Sequence, residues 1–333
     1  MEPVARHPSG ATTRAVIRAN VSDVAPPGCK ELALEVIPPA EAGRAAPRAA
    51  LLCFPGGGMS RGYFDLAVPG YSFAEFARQR GFLVLLADHP GVGDSDAPGD
   101  GWTLTPDVVA SIEAAAVDRA LALLRAGDVD GVPALPAQTA VIGVGHSMGA
   151  HLLIHQQALS GRYDGIALLG WGGHGLPQYL PEADLAIAEL DGTDPAAYAS
   201  ALVASARRRH DDPFPALSRG SSELLVKSTM PDDVHQALVD VRAPLLAVVG
   251  HATLIPGSTR RASAAVDVPV FLGVGENDIA VNHRLIPSEF PASKDITLFV
   301  LEGAGHNQNV EPGRHALWER VTSWADQLAS RRS

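Results

Sequence analysis

The sequence predicts an α/β fold in which a mostly parallel central sheet is flanked by helices. Residues 49–54, 82–87 and 140–144 are short, continuously apolar runs, a pattern typical of strands that are buried on both faces. Helical stretches separate these runs along the chain. Strands that alternate with helices in this way form parallel sheets through right-handed crossovers.

The elements follow in order from the N-terminus. Residues 1–30 are polar and interrupted by Pro and Gly, so we expect an N-terminal arm, whereas residues 31–37 alternate between apolar and polar as a half-buried strand does. The further predicted strands are residues 49–54, 82–87, 140–144, 165–169, 268–274 and 296–301. The predicted helices of the core are residues 73–79, 106–125, 149–159 and 314–330.

One interval interrupts this alternation. About a hundred residues separate the strand that ends near Gly170 from the one that begins near Val268, and a structureless connection of that length is improbable. Helix-like stretches at residues 182–189, 195–209 and 232–239 predict a mainly helical cap instead. Residues 244–250 resemble a strand, but no acid follows them, and we assign them to the insertion or its return. The predicted organisation is an arm (1–30), an α/β core (31–171 and 266–333) and a cap (172–265).

Composition and charge limit the possible partners. Hydrophobic residues make up 46% of the 333-residue chain and charged residues 19%, which is typical of an ordinary globular protein. The net charge of −11 argues against a nucleic-acid partner. The first 20 residues lack the apolar segment of a secretory signal, and no apolar run reaches the length of a membrane span. We therefore predict a cytoplasmic protein that acts on a small molecule, and the sequence indicates no oligomeric state.

The pentapeptide Gly145-His146-Ser147-Met148-Gly149 lies between a predicted strand and a predicted helix. A G-x-S-x-G sequence in this context is typical of a sharp turn that exposes a serine hydroxyl at the top of a sheet. Glycines flank the turn because a Cβ there would obstruct its strained backbone. We predict that Ser147 is a nucleophile and that Met148 N–H points at the group it attacks.

A serine nucleophile needs a base, and the base needs a third group that holds its tautomer. Glu276 and Asp278 follow the strand predicted at residues 268–274, and His306 follows the strand predicted at residues 296–301. The order Ser, Asp, His in these contexts resembles the α/β-hydrolase superfamily over roughly residues 32–328. The resemblance implies that His306 is the general base and acid and that Asp278 orients it, with Glu276 as the competing acid.

The resemblance also implies an oxyanion hole built from two backbone amides. Met148 N–H is one expected donor. The other is expected from Pro55-Gly56-Gly57-Gly58, which is similar to the His-Gly-Gly-Gly loop of lipases and esterases with Pro55 in place of the histidine. Gly57 N–H is the first choice and Gly56 N–H the second.

Other polar residues near the predicted site receive structural interpretations. Asp88 and His89 open a segment similar to the D-x-x-G-x-G-x-S loop of the superfamily, which shapes the fold near the site; the alternative for His89 is a place in the pocket wall. His146 is expected to pack beside the nucleophile. His151 and His155 are four residues apart on a helix, but no third ligand accompanies them, so we predict no metal. No Lys-Ser/Thr pair follows the glycine loop, so we predict no nucleotide or other cofactor.

The substrate pocket is expected under the cap. Trp171 and His174 follow the strand predicted at residues 165–169, and with Tyr179 they are the candidate pocket walls. Further apolar cap residues would suit a mainly apolar substrate of moderate size or would form the core of the cap itself. They are Leu176, Leu180, Tyr198 and Phe214.

Together these residues predict a serine hydrolase that cleaves a carboxylic ester, lactone or thioester of a small to medium, mainly apolar substrate through an acyl-enzyme. A serine instead of an aspartate at the turn argues against dehalogenase and epoxide-hydrolase chemistry. Two alternatives remain. The same triad could hydrolyse a C–C bond in a diketone or act as a haloperoxidase-like perhydrolase, or the fold could serve as a ligand-binding protein without catalysis.

Overall fold

The strands form one eight-stranded sheet in the computed structural model, which describes residues 14–40, 46–217 and 230–331. The strands are β1 (Ala15–Asn20), β2 (Glu31–Ile37), β3 (Ala49–Phe54), β4 (Leu83–Ala87), β5 (Ala140–His146), β6 (Gly165–Leu169), β7 (Val270–Gly275) and β8 (Ile296–Leu301). Their spatial order is β1-β2-β4-β3-β5-β6-β7-β8. β2 runs antiparallel to both of its neighbours, and the pairs from β4 to β8 are parallel. The predicted mostly parallel sheet is confirmed.

The helices of the described residues lie around this sheet and in the interval between β6 and β7. They are α1 (Phe73–Gln79), α2 (Pro106–Ala126), α3 (Met148–Ser160), α4 (Glu182–Leu185), α5 (Ala188–Asp191), α6 (Pro195–Arg209), α7 (Asp232–Asp240), α8 (Ala247–Ala252), α9 (Arg260–Ala265) and α10 (Arg314–Ser330). Each strand and helix predicted from residue 31 to residue 171 and from residue 266 onward is present, with bounds within two residues of those predicted. None of the described helices is long and apolar enough to cross a membrane.

Alternate side chains of each central strand enter two different cores. In β3, Leu52 and Phe54 pack with side chains of α2 and α3, whereas Leu51 and Cys53 pack with those of α1 and α10. Side chains alternate between the two faces of a strand, so a strand covered on both faces must be apolar at every position. This is why the central strands read as continuous apolar runs.

The N-terminal residues differ from the prediction. Residues 15–20 form strand β1, which pairs with β2, buries Ile17 and Ala19 and exposes Arg18 and Asn20. The prediction of an arm over residues 1–30 is therefore wrong for this strand. The polar residues on its outer face concealed a short apolar alternation. Residues 1–13 of the predicted arm lie outside the described residues.

Residues 172–265, which we call the inserted segment, contain α4 to α9 among their described residues. Residues 182–189, predicted as one helix, form two short ones, and residues 244–250 lead into helix α8 and add no strand to the sheet. The segment has a small apolar core of its own, to which Ile187, Tyr198, Leu202, Val248 and Ile255 contribute. The division of the chain into an arm, a core domain and a cap domain stays a prediction.

Candidate active site

Ser147 lies at the turn between β5 and α3. Its backbone has φ 52° and ψ −115°, a conformation that non-glycine residues rarely adopt and that is stored as strain at functional sites. A Cβ on Gly145 would lie 2.6 Å from the backbone of Ala150, and one on Gly149 would collide with the carbonyl oxygen of Phe54. Both flanking glycines are therefore needed for the close packing of this turn.

Asp278 and His306 meet beyond the carboxyl ends of β7 and β8. His306 Nδ1 lies 2.7 Å from Asp278 Oδ1, and both side chains are buried. An ionised carboxylate can only accept hydrogen bonds, so Nδ1 carries the proton of a neutral imidazole. The Nε2 lone pair of His306 is then free to accept a proton from another group.

The Asp278 carboxylate has further hydrogen-bond donors. It accepts from Ala280 N–H at 3.0 Å, from Gly275 N–H at 3.3 Å and from Gln308 Nε2 at 2.6 Å. Burial alone would raise the pKa of Asp278, but the adjacent His306 and the backbone donors outweigh it and lower the pKa below its ordinary value. Asp278 is therefore held as a carboxylate beside the imidazole.

Glu276, the competing acid, points elsewhere. It is exposed, and its Oε2 accepts a hydrogen bond from Gly303 N–H at 2.8 Å. The geometry brings Asp278 to His306 and leaves Glu276 at the surface.

Ser147 and His306 line one small cavity at the carboxyl edge of the sheet. Its volume is about 50 Å³, and its other described lining residues are Gly170, Trp171, Gly172, Gly175, Leu176, Thr253, Ile279 and Ala280. The two side chains share the cavity, and among the described residues no hydrogen bond joins the Ser147 hydroxyl to His306. Such contacts are often long in unliganded enzymes and tighten when substrate binds.

Two of the three predicted pocket walls are not among the described residues that line this cavity. Trp171 lines it, but His174 lines a neighbouring cavity of about 340 Å³, and the Tyr179 side chain is 46% exposed. His174 lies within a turn in which Gly175 N–H donates to the carbonyl oxygen of Gly172, and the flanking residues Gly172, Gly175 and Leu176 line the Ser147 cavity. A place for His174 and Tyr179 in the wall of the substrate pocket stays a prediction.

The apolar residues of the inserted segment divide between the two interpretations. Leu176 lines the Ser147 cavity, whereas Tyr198 and Leu180 belong to the core of the segment itself. Phe214 packs against the main core instead.

The glycine loop lies directly against Ser147. A Cβ on Gly56 would lie 3.3 Å from Ser147 Cβ and 2.8 Å from His146 Nδ1, and one on Gly57 would lie 3.3 Å from Met148 Sδ. The N–H groups of Gly56 and Gly57 have no acceptor among the described residues. Met148 is the first residue of α3, so its N–H has no partner within the helix. These amides are available as donors to a ligand at Ser147.

His146 packs behind the site, as the sequence suggests. Its Nε2 lies 2.9 Å from the carbonyl oxygen of His306, and its ring centroid lies 4.6 Å from that of Tyr63. Burial, together with the nearby His306, lowers the pKa of His146 to about 3. His146 is therefore neutral and helps to fix the backbone of His306.

Asp88 and His89 are buried and make internal contacts. Asp88 pairs with the Arg61 guanidinium and accepts a hydrogen bond from the backbone N–H of Arg61 at 2.8 Å. His89 Nε2 lies 2.9 Å from the carbonyl oxygen of Pro55, and its Nδ1 lies 2.5 Å from Glu113 Oε1. His89 is not among the described residues that line the Ser147 cavity, so its structural interpretation agrees with the geometry and the pocket-wall alternative does not.

The histidine pair on α3 makes structural contacts. The rings of His151 and His155 stack at 5.1 Å, and His155 Nδ1 lies 2.8 Å from Asp107 Oδ1. Among the described residues, no group of three or more His, Cys, Asp or Glu side chains is placed to hold a metal ion.

A comparison with protein families matches most of the chain, including the residues of this site. Residues 51–316 match the model of the alpha/beta hydrolase family. This chain belongs to that family. The match includes the glycine loop, the strained serine, the buried aspartate and the histidine. A comparison with curated proteins finds no match.

Solved structures share the fold of this alpha/beta hydrolase. A monoacylglycerol lipase from Paleococcus ferrophilus has a TM-score of 0.61 and 18% identity over 90% of this chain and 99% of its own. An esterase from Exiguobacterium antarcticum has a TM-score of 0.59 and 16% identity over 89% and 95%. A proline iminopeptidase from Mycobacterium smegmatis has a TM-score of 0.59 and 19% identity over 96% and 100%. Identities this low establish a common fold, and one fold serves several reactions.

Sequence reasoning missed several residues around the site of this hydrolase. Ile279 and Ala280 follow Asp278 directly, so their adjacency to the acid was an available signal. Thr253 of the inserted segment carried none, because no motif links it to the strand ends. The contact of His89 with Pro55 was also missed, since it joins two loops that follow different strands.

Proposed function

We propose that this protein hydrolyses a carboxylic ester, lactone or thioester through an acyl-enzyme formed on Ser147. One observation carries the proposal: His306, oriented by Asp278 at 2.7 Å, faces the same small cavity as the strained Ser147. A hydroxyl becomes an effective nucleophile only when an adjacent base removes its proton. The free Nε2 of His306 supplies that base.

The reaction proceeds in two halves. Ser147 Oγ attacks the substrate carbonyl while His306 Nε2 takes its proton, and the imidazolium then donates that proton to the leaving alcohol or thiol. A water molecule, activated by the same nitrogen, attacks the acyl-enzyme and releases the acid. Asp278 stays ionised throughout and stabilises the imidazolium.

Backbone amides bind the charge that develops on the substrate oxygen. Met148 N–H, at the start of α3, is the first proposed donor, and Gly57 N–H or Gly56 N–H is the second. Such preorganised donors stabilise the tetrahedral intermediate more than the ground state, and removal of one typically slows the reaction about 10²–10³-fold.

The cavity supports a short acyl group. One water needs about 10–15 Å³ in the same measure of volume, so a cavity of about 50 Å³ holds only a few heavy atoms. Its walls are mostly apolar, with Trp171, Ile279 and Ala280 among the lining residues. We therefore propose acetyl to butyryl esters as the preferred acyl range.

A p-nitrophenyl ester series from acetate to octanoate tests this function on the wild type and on Ser147→Ala. We expect wild-type hydrolysis with kcat/KM highest for the short acyl groups, and loss of hydrolysis in the variant. Ser205→Ala, which removes a buried hydroxyl of helix α6, is the matched control and should retain activity. Equal activity of the wild type and Ser147→Ala would overturn the proposal.

The same series separates the alternative functions. A wild type that leaves the esters intact but cleaves a vinylogous diketone would be a C–C hydrolase. A folded wild type that cleaves neither, and that a fluorophosphonate does not label, would favour the ligand-binding alternative.

A further inference from the structure

We propose that His89 is a positioning residue for the oxyanion hole, and that it acts by holding the carbonyl group of Pro55. This inference rests on the proposed function. His89 is not among the described residues that line the cavity, and its hydrogen-bond partners are Glu113 and Pro55. Its effect on the reaction is transmitted through the backbone of the glycine loop.

The peptide group between Pro55 and Gly56 transmits the effect. The C=O of Pro55 and the N–H of Gly56 belong to one planar trans peptide, in which the two bonds point in opposite directions. The structure contains no cis peptide bond among its described residues. A hydrogen bond from His89 Nε2 to the Pro55 oxygen, at 2.9 Å, therefore also fixes the direction of Gly56 N–H.

The next peptide is fixed in the same way. The carbonyl oxygen of Gly56 accepts a hydrogen bond from Met59 N–H at 3.3 Å, which orients the N–H of Gly57 in the same plane. The carbonyl of Gly58 accepts from Ala243 N–H at 2.9 Å. Three donors hold these carbonyl groups: His89 Nε2, Met59 N–H and Ala243 N–H. Only His89 donates from its side chain, so it is the donor that a substitution can remove.

The glycine loop, His89 and the first turn of α3 meet at the Pro55 carbonyl. A Cβ on Gly149 would lie 2.5 Å from the Pro55 oxygen, so the first turn of α3 packs against it. A small displacement here moves Gly56 relative to the nucleophile, and a misplacement of about 1 Å can slow an enzyme about 10²-fold.

A buried hydrogen-bond chain holds His89 in turn. Glu113 Oε1 lies 2.5 Å from His89 Nδ1, Gln156 Nε2 donates to Glu113 Oε2 at 2.6 Å, and Tyr163 donates from its hydroxyl to Gln156 Oε1 at 2.6 Å. All four side chains are buried. A buried chain with every member paired is rigid, because loss of any contact leaves a polar group without a partner.

The contacts define the donor at Nε2. A carbonyl oxygen can only accept, so His89 Nε2 must carry a proton. Burial alone would lower the pKa of His89, but the Glu113 carboxylate and the Pro55 oxygen outweigh it and raise the pKa above its ordinary value. The raised pKa favours the protonated imidazole, in which both ring nitrogens carry a hydrogen and Nε2 donates to Pro55.

Two substitutions of His89 separate positioning from folding. In His89→Gln, Nε2 is the same number of bonds from Cβ as the imidazole Nε2, so the donor to Pro55 is kept. In His89→Asn, Nδ2 corresponds to the imidazole Nδ1, so the contact with Glu113 is kept and the donor to Pro55 is lost. Both variants remove the ring and only His89→Asn keeps the contact with Glu113, so a purely structural role would damage His89→Gln at least as much as His89→Asn.

The measurements are kcat, KM and the affinity for phenylboronic acid, whose adduct with a serine mimics the tetrahedral intermediate. We expect His89→Asn to lower kcat about 10²-fold with KM within about twofold, and to weaken boronate binding by a similar factor. His89→Gln should recover at least tenfold of that loss. Equal kcat losses in the two variants, or an unchanged boronate affinity in His89→Asn, would overturn the inference.

The remaining outcomes are also decisive. Should His89→Asn fail to fold, folded His89→Gln decides alone: a kcat within about tenfold of the wild type supports the inference, and a loss of about 10²-fold or more refutes it. A wild type without hydrolysis or boronate binding would overturn the proposed function and this inference with it. An active wild type matched by His89→Asn would overturn the inference alone.

Discussion

Two groups of the same three side-chain types, at different places in the molecule, have different hydrogen-bond arrangements. The first lies at the carboxyl edge of the sheet and consists of Ser147, His306 and Asp278. The second lies within the inserted segment and consists of Ser205, His251 and Asp184. The difference between them is the position of the carboxylate.

In the second group the carboxylate binds the serine. Ser205 Oγ donates its hydrogen to Asp184 and lies 2.7 Å from His251 Nε2. A hydroxyl has one hydrogen to donate, so His251 must donate from Nε2. The nitrogen that faces the serine already carries a proton and cannot act as a base.

In the first group the carboxylate binds the imidazole. Asp278 contacts His306 at Nδ1, on the side away from the cavity, and the proton is held there. Ser147 is on a strained turn beside a cavity, whereas Ser205 lies inside helix α6 and is 1% exposed. Residue types alone therefore do not identify a triad; the tautomer that the acid imposes does.

The largest expected effect is on the serines. Ser147→Ala should lower kcat by about 10⁴-fold or more, because it removes the nucleophile. Ser205→Ala should leave kcat within about threefold but lower the free energy of unfolding by about 1–3 kcal/mol, since Asp184 and His251 lose a buried partner. Ester kinetics and urea unfolding measure the two effects. A large kcat loss in Ser205→Ala would contradict the distinction between the two groups.

Substitution of the aspartate should lower kcat in the first group and stability in the second. Asp278→Asn should lower kcat about 10⁴-fold, because an amide no longer holds the required tautomer of His306. Asp184→Asn should chiefly lower the melting temperature. Glu276→Gln is the control on the neighbouring acid and should stay active. Activity retained in Asp278→Asn and lost in Glu276→Gln would reverse the assignment of the acid.

Much of this distinction could be predicted from the sequence, and part could not. The chain order of Ser147, Asp278 and His306, each after a strand, carried the resemblance to the α/β-hydrolase superfamily, and that resemblance implied the first group. The second group lies on three short elements whose mutual packing no periodicity encodes. Nothing in the sequence around Ser205 or His251 signals their contact.

The pocket and the N-terminus were unpredictable for related reasons. Tyr179 and His174 were assigned to the pocket by proximity along the chain, but the described residues after Trp171 that line the Ser147 cavity are Gly172, Gly175 and Leu176. β1 was missed because only Ile17 and Ala19 of its six residues are buried. Its stability comes from pairing with β2, which is a tertiary contact.

A smaller effect concerns pH and the histidine of the second group. Burial lowers the pKa of His251 to about 4, since the attraction of Asp184 does not compensate. A histidine in the unfolded chain has a pKa of about 6.5, so the unfolded state takes up a proton before the folded state does. The free energy of unfolding therefore declines as the pH falls from about 6.5 toward 4. The melting temperature should fall between pH 7 and pH 5, and less steeply in His251→Gln, which keeps the donor to Ser205. Identical pH slopes in both proteins would contradict this.

The smallest expected effect concerns the cavity beside the first group. A Cβ on Gly172 would lie 3.4 Å from Ile286 Cδ1, so Gly172→Ala fits without a collision and narrows the pocket. It should raise the ratio of kcat/KM for the acetate ester to kcat/KM for the butyrate ester about tenfold. A change of one methylene in an apolar pocket has an effect of this size. Gly192→Ala in the inserted segment, where a Cβ meets nothing within 4 Å, should leave the ratio unchanged. Equal ratios in both variants would place the acyl group elsewhere.

The most direct test of the distinction is to locate the covalent adduct that a fluorophosphonate forms with the folded protein. Peptide mass spectrometry after brief labelling should find one modified serine, Ser147, and labelling should disappear in Ser147→Ala and persist in Ser205→Ala. Labelling that persists in Ser147→Ala, or an adduct on Ser205, would contradict the claim that the position of the carboxylate makes only the first group reactive.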